Sequence, residues 1–295
     1  MKLAVYGEHR VAVVEEDLLY DVTAAVPGAG DGWPPVYMSR LIARWAECEP
    51  RIREQRAKAA PFERNQVKLL APLPFPGTVI AAPANYKKHV GELGERGITK
   101  AGNSANDIGF FLKTSSSVCG PDSTILLPRG SQRRFDHESE LAVVIGKRGK
   151  NIPQAEALDY VFGYACLMDL TMRLEPGKPA EERPTRKSFD TFTPLGPWLV
   201  TVDEVPDPQA LSNQLWVNGE LRQSANTREM TVSVAALIEL ISSVMTLNPG
   251  DVIASGTPEG VGPIRPGDRG RIAIERVGEM SLPVAEAEDY APRRF

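Results

Sequence analysis

Asp136-His137-Glu138-Ser139-Glu140-Leu141-Ala142-Val143-Val144-Ile145-Gly146 is the stretch on which the reading of this chain turns. Leu141 to Ile145 is an apolar, partly β-branched run, which predicts a buried strand. Glu138 and Glu140 lead into it two residues apart, and on a strand that spacing puts both carboxylates on one face. Two like charges side by side at a buried strand end are costly unless something neutralises them. A hard divalent cation does so, because Mg²⁺, Mn²⁺ and Ca²⁺ take oxygen ligands. Taken alone, a Glu-x-Glu at a strand end also fits a solvated edge.

Working outward, Ala165 to Met168 reads as a second buried strand with Asp169 at its exit. By itself Asp169 would be a cap or turn residue. Beside the glutamate pair it completes a half-shell of three carboxylates, leaving the other positions of an octahedral ion to water or substrate.

The chain resembles the fumarylacetoacetate hydrolase family. Five segments carry the resemblance, in family order from about residue 75 onward: Asn85 to Glu92; Phe111-Leu112-Lys113; Asp136 to Gly146; Lys187-Ser188-Phe189-Asp190 with Pro194-Leu195-Gly196-Pro197-Trp198; and Leu247 to Gly262. The resemblance implies Glu138, Glu140 and Asp169 as ligands of Mg²⁺ or Mn²⁺, with Ca²⁺ able to stand in for them in crystals. It also implies a mixed β-sandwich or β-roll catalytic core with a small N-terminal β-rich domain, and a homodimer.

Composition sets the outer bounds. The chain has 295 residues, 42% hydrophobic and 24% charged, which is ordinary globular composition with enough length for a large core. No apolar run approaches the roughly 20 residues of a membrane span, and Met1 to Glu8 has no signal-peptide profile. A formal net charge of -4 leaves no basic footprint for nucleic acid. Cys48, Cys119 and Cys166 are scattered, without metal-ligand spacing, which predicts reduced thiols in a cytoplasm.

Residues 1–72 read as a small leading module and 73–295 as the catalytic, metal-binding domain. Lys2 to Tyr6 and Arg10 to Val14 predict a strand pair, with Leu18 to Val22 as a third strand. Met38 to Glu49 carries Leu41, Ile42 and Trp45 at helical spacing, with Pro50 expected to interrupt or end it. In the main body short apolar runs alternate with Gly/Pro turns, at Thr78 to Ala82, Trp198 to Val202, Leu215 to Val217, Val252 to Ser255 and Arg271 to Ile274. Asn218-Gly219 predicts a type I′ hairpin turn, and Val232 to Met245 one amphipathic helix. Strands outnumber helices, so the expected class is β-rich α+β rather than doubly wound.

His89 and Glu92 are three apart, which on a helical turn puts them on one face. Spacing alone favours a surface pair. A carboxylate can also hold an imidazole in the tautomer that accepts a proton from water, and the resemblance assigns a His/Glu pair in this segment to that task. Gly91 to Asp107 is rich in glycine and polar residues and reads as a mobile lid. Lys113 and Lys187 stand out through the family motifs. Lys187 is the candidate for stabilising an oxyanion and Lys113 for binding a substrate carboxylate. Arg173 is a candidate fork for a substrate carboxylate. Thr257 either presents its hydroxyl and N–H to the substrate or is a structural turn. Alternation points His137 away from the glutamates, as a hydrogen-bonded structural imidazole, and His9 falls in a surface turn. One departure from the family pattern stands out: a Gln is expected three residues after Arg173, and Pro176 holds that position.

These readings converge on a metal-dependent hydrolase that cleaves a C–C bond in a small 2-oxo or 1,3-dioxo acid of the acylpyruvate, fumarylpyruvate or diketo-acid class. A related isomerase, decarboxylase or hydratase would need the same metal–enolate chemistry. A metal-stabilised binding protein without activity is the third reading.

Overall fold

The structure, a computed structural model, describes residues 1–89, 91, 104–177 and 179–290. Its centre is the strand Ser139–Ile145, buried along its whole length. Alternation sends Leu141, Val143 and Ile145 into one apolar core and Ala142 and Val144 into another. The unbroken apolar run is thus explained by a strand covered on both faces.

That strand pairs antiparallel with Val161–Met168 on one side and with Val252–Ala254 on the other. They belong to a 12-stranded sheet running through Pro61–Glu63, Leu18–Asp21, Arg10–Glu15, Lys2–Tyr6, Thr193–Thr201, Val161–Met168, Ser139–Ile145, Val252–Ala254, Val79–Ala81 and Phe111–Lys113, with Leu69–Leu70 added on Lys2–Tyr6 and Val118–Cys119 on Thr193–Thr201. A five-stranded sheet lies over one face, in the order Glu220–Asn226, Ser212–Val217, Arg269–Ile274, Gly278–Tyr290 and Ile125–Arg129. Leu215, Ile272, Ile274 and Leu282 from this second sheet share a core with Leu141, Val143 and the helix Val234–Val244. The fold is the expected β-rich α+β arrangement, with mixed sheets and few helices.

The N-terminal strands join the main sheet directly. Leu3 pairs with Leu199, and the helices Tyr37–Ala43 and Trp45–Lys58 pack Met38, Leu41, Ile42, Cys48 and Ile52 against the second core. Pro50 does not end a helix. The chain breaks earlier, at Arg44, and Pro50 lies inside the second helix. The break falls where the Arg44 backbone (φ −115°, ψ 27°) leaves the helical region.

Asn218 and Gly219 both have positive φ, 52° and 83°, as a type I′ turn requires, and they join two paired strands as expected. The expected lid falls largely on residues 92–103, outside the described residues. Its far end is a single helical turn, Ala105–Ile108, capped by Ser104. Among the described residues no helix is long and apolar enough to cross a membrane.

Candidate metal centre and substrate cavity

Glu138 sits in the break between the strands Phe135–His137 and Ser139–Ile145, and Glu140 is the second residue of the latter. Both carboxylates lie on one side of the chain, as their spacing predicts. Asp169 follows the last residue of Val161–Met168, and its N–H donates to the Glu138 carbonyl at 2.9 Å. That bond locks the two strand ends together. One carboxylate oxygen from each of Glu138, Glu140 and Asp169 lies within 4.8 Å of the others, and all three residues are buried.

Two buried ammonium groups flank the cluster. Lys187 donates to Asp169 Oδ2 at 2.5 Å, Glu138 Oε2 at 2.8 Å and Thr171 Oγ1 at 2.6 Å. Lys113 donates to Asp169 Oδ1 at 2.5 Å and to the Phe192 carbonyl at 2.9 Å. Arg173 spans Asp136 Oδ2 at 2.7 Å and Glu138 Oε1 at 2.6 Å, while Arg134 grips both oxygens of Asp136. Glu140 receives the Gly256 N–H at 2.7 Å and no ammonium or guanidinium salt bridge among the described residues.

These partners split the two glutamates electrostatically. Burial opposes ionisation of Glu138, yet Lys187 and Arg173 outweigh it and hold its carboxyl well below the usual range. Burial, together with Asp169 and Glu138, drives Glu140 well above the usual range, and Lys187 and the Gly256 N–H only partly offset this. A divalent cation relieves that repulsion. The donor set of three hard carboxylate oxygens, one of them without a lysine or arginine salt bridge among the described residues, therefore fits Mg²⁺ or Mn²⁺.

The cluster forms the floor of a cavity of about 230 Å³, whose walls include His89, Phe111, Arg173, Arg183, Arg186 and Thr257. His89 is buried. Glu92 lies outside the described residues. Thr257 lines the cavity, and its Oγ1 accepts a hydrogen bond from Gln223 Nε2 at 2.9 Å.

Two expected substrate contacts are placed differently. The Lys113 ammonium is fully buried behind Asp169 and is not part of the cavity wall, because its hydrogen bonds hold it in the layer beneath the carboxylates. The fork of Arg173 is filled by Asp136 and Glu138, although its side chain reaches the cavity. His137 turns away from the glutamates as alternation predicts, with Nδ1 3.2 Å from Gln223 Oε1, and burial lowers its pKa. His9 contacts the Tyr37 hydroxyl at 3.1 Å, far from the site.

Several residues escape the sequence reading. Asp136 belongs to the opening stretch and has Arg134 two residues before it, but its link to Glu138 runs through Arg173, which only the fold brings to it. Gln223 ties the Ser139 N–H, His137, Thr257 and the Pro258 carbonyl together from the second sheet. Arg183 and Arg186 carried a legible signal: with Lys187 they have i, i+3, i+4 spacing, which clusters them on a single helical turn.

Residues 78–285 match the fumarylacetoacetate (FAA) hydrolase C-terminal family. The chain is 41% identical over 295 residues, 96% of its own length and 99% of the relative's, to maleylpyruvate hydrolase of Aquipseudomonas alcaligenes. A crystal structure of maleylpyruvate hydrolase from Sphingobium sp. SYK-6, in complex with manganese(II) ion and pyruvate, superposes with a TM-score of 0.86. The identity there is 41%, covering 98% of this chain and 100% of that one. The 5-carboxymethyl-2-hydroxymuconate delta-isomerase of Mycobacterium smegmatis is similar with a TM-score of 0.74 and 30% identity, covering 97% of this chain and 100% of that one. The chain belongs to the fumarylacetoacetate hydrolase family.

Proposed function

We propose that the substrate is an acylpyruvate with the chemistry of maleylpyruvate, which water splits into pyruvate and a carboxylic acid. The protein is a metal-dependent hydrolase of carbon–carbon bonds in small 2-oxo acids. Two relatives at 41% identity, both maleylpyruvate hydrolases, support this reading. The observation that carries it is the Glu138, Glu140, Asp169 cluster on the floor of a cavity that His89 also lines.

The proposed ligands are those three carboxylates and the ion is Mn²⁺, as in the relative solved with manganese and pyruvate; Mg²⁺ is proposed as an alternative. When bound, the ion supplies Lewis acidity that stabilises the enolate charge left by C–C cleavage. His89, oriented by Glu92, takes a proton from water. The water oxygen bonds to the acyl carbon, the C–C pair passes to the pyruvate fragment, and its CH₂ carbon takes up a proton. Lys187 holds Glu138 and Asp169 in place and sets a positive charge beside the developing oxyanion. Thr257 contacts the substrate. Lys113 acts through Asp169 and Arg173 through Glu138, which replaces the direct substrate contacts expected of them.

The assay that tests the reading offers 2-oxo and 1,3-dioxo acids with and without Mn²⁺ and identifies the products. Pyruvate plus a carboxylic acid, formed only with metal, is the expected result. An isomerised acid or CO₂ would instead favour the isomerase or decarboxylase reading, for which the similar isomerase structure speaks.

The division near residue 72 is also a proposal, with the leading module extending the catalytic sheet through the Leu3–Leu199 pairing. A cytoplasmic homodimer is proposed from the family resemblance and from three free cysteines, two of them buried.

A further inference from the structure

The cavity wall also carries positive charge that the metal centre does not use. The short helix Arg183–Lys187 supplies it. Lys187 turns down onto Glu138 and Asp169, whereas Arg183 and Arg186 line the cavity. Arg183 has no hydrogen bond or carboxylate partner among the described residues, and its guanidinium lies 5.9 Å from the centre of the Phe111 ring. Among the described residues Arg186 donates only to backbone carbonyls, Glu181 O at 3.0 Å and Met172 O at 3.3 Å, and no carboxylate forms a salt bridge with it. Burial, Arg173 and Arg183 disfavour its charged form, and Glu138 and Glu181 offset them only in part. Of the acids near it among the described residues, Glu138 is committed to Arg173 and Lys187, Glu181 to Arg133 at 2.9 Å, and Glu182 is exposed at the rim.

Two half-buried guanidinium groups without a carboxylate, side by side on one wall, form a receptor for a planar anion. The 2-oxo acid end of the substrate belongs at the metal floor, so this anion is a second one at the far end of the molecule.

We propose that Arg183 and Arg186 bind a distal carboxylate, which makes the enzyme selective for dicarboxylic acylpyruvates over those with an uncharged acyl tail. The inference rests on the acylpyruvate reading for the orientation of the substrate.

The test is binding to the Mn²⁺-loaded protein, read by calorimetry, with a matched pair of probes: 2-oxoadipate and 2-oxohexanoate. Wild type is expected to prefer the dicarboxylate by about tenfold or more, the size of a charge-assisted hydrogen bond. Arg183→Gln and Arg186→Gln should each erode that preference, the dicarboxylate losing more affinity than the monocarboxylate. Arg183→Gln is the cleaner variant, since Arg186 also anchors backbone. No preference in wild type, or an unchanged preference in both variants, overturns the proposal. If the dicarboxylate preference holds and depends on the arginines while no acylpyruvate is cleaved, the subsite stands and the hydrolase reading fails. The two failures are thus distinguishable.

Discussion

The Lys187 ammonium donates to Asp169 Oδ2 at 2.5 Å, with both side chains buried. Lys113 takes the other oxygen of the same carboxylate, also at 2.5 Å. Asp169 is thereby oriented from two sides, and the proposed metal ligand is placed by ion pairs as well as by the strand end that carries it. A buried pair of this kind tolerates removal of one partner poorly, because the remaining charge is left in a dry interior.

Lys113→Met is therefore expected to destabilise the metal-free protein by about 3 kcal/mol. Urea unfolding measures this, and saturating Mn²⁺ should narrow the gap by supplying a replacement cation to Asp169. A metal-free difference below about 1 kcal/mol would show that Asp169 does not depend on Lys113.

Glu138→Ala and Glu140→Ala should each abolish Mn²⁺ binding and turnover, since two carboxylates hold a hard ion poorly. The rise in melting temperature that Mn²⁺ gives wild type should vanish in both. Calorimetry showing wild-type affinity in either variant would exclude that residue as a ligand.

Metal binding should depend on pH through Glu140. Burial, Asp169 and Glu138 raise the pKa of this carboxyl in the metal-free site, so it carries a proton at pH values where an exposed glutamate would not. The ion needs the carboxylate and must displace that proton. Affinity should therefore rise with pH and level off once the metal-free site is ionised. Calorimetry at about pH 6, in two buffers of different ionisation enthalpy, should report proton release on Mn²⁺ binding that shrinks as the pH is raised. Equal heats in the two buffers would count against the assignment.

His89→Ala and Glu92→Gln should lower acylpyruvate cleavage by about 10² or more, the usual size of a general-base contribution. Mn²⁺ affinity should survive, as neither residue is a proposed ligand. Oxaloacetate decarboxylation, if wild type shows it, should fall much less. Wild-type cleavage rates in both variants would remove the dyad from the mechanism.

Gly256→Ala should weaken the site without touching a ligand side chain. Gly256 has φ +93°, and a Cβ there would meet Asn85 Cβ at 2.5 Å. Asn85 is buried and bonded to Val232 and to the Ser255 carbonyl, so it cannot easily yield. The strain should cost about 2 kcal/mol and displace the N–H that Glu140 accepts. Thermal melts with and without Mn²⁺ should show both the lower stability and a smaller metal-induced rise.

Much of this protein is determined by local sequence. The apolar run Leu141 to Ile145 dictates a strand with two buried faces, and the two-residue spacing of Glu138 and Glu140 puts their carboxylates together, because a strand alternates whatever surrounds it. Asn218-Gly219 specifies its own turn, since few other residues accept positive φ at both positions. The tertiary structure decided what each charge is for. Lys113 and Arg173 look like substrate cations in the sequence, yet Lys113 lies behind Asp169 and Arg173 is spent on Asp136 and Glu138, because strands distant in the chain bring those carboxylates to them. Arg183 and Arg186 become candidate anion binders only because the fold pairs Glu181 with Arg133 and leaves the two arginines without a salt bridge among the described residues. Periodicity is local and can be read from the chain. Charge compensation is a property of neighbours in space, and only the folded structure supplies them.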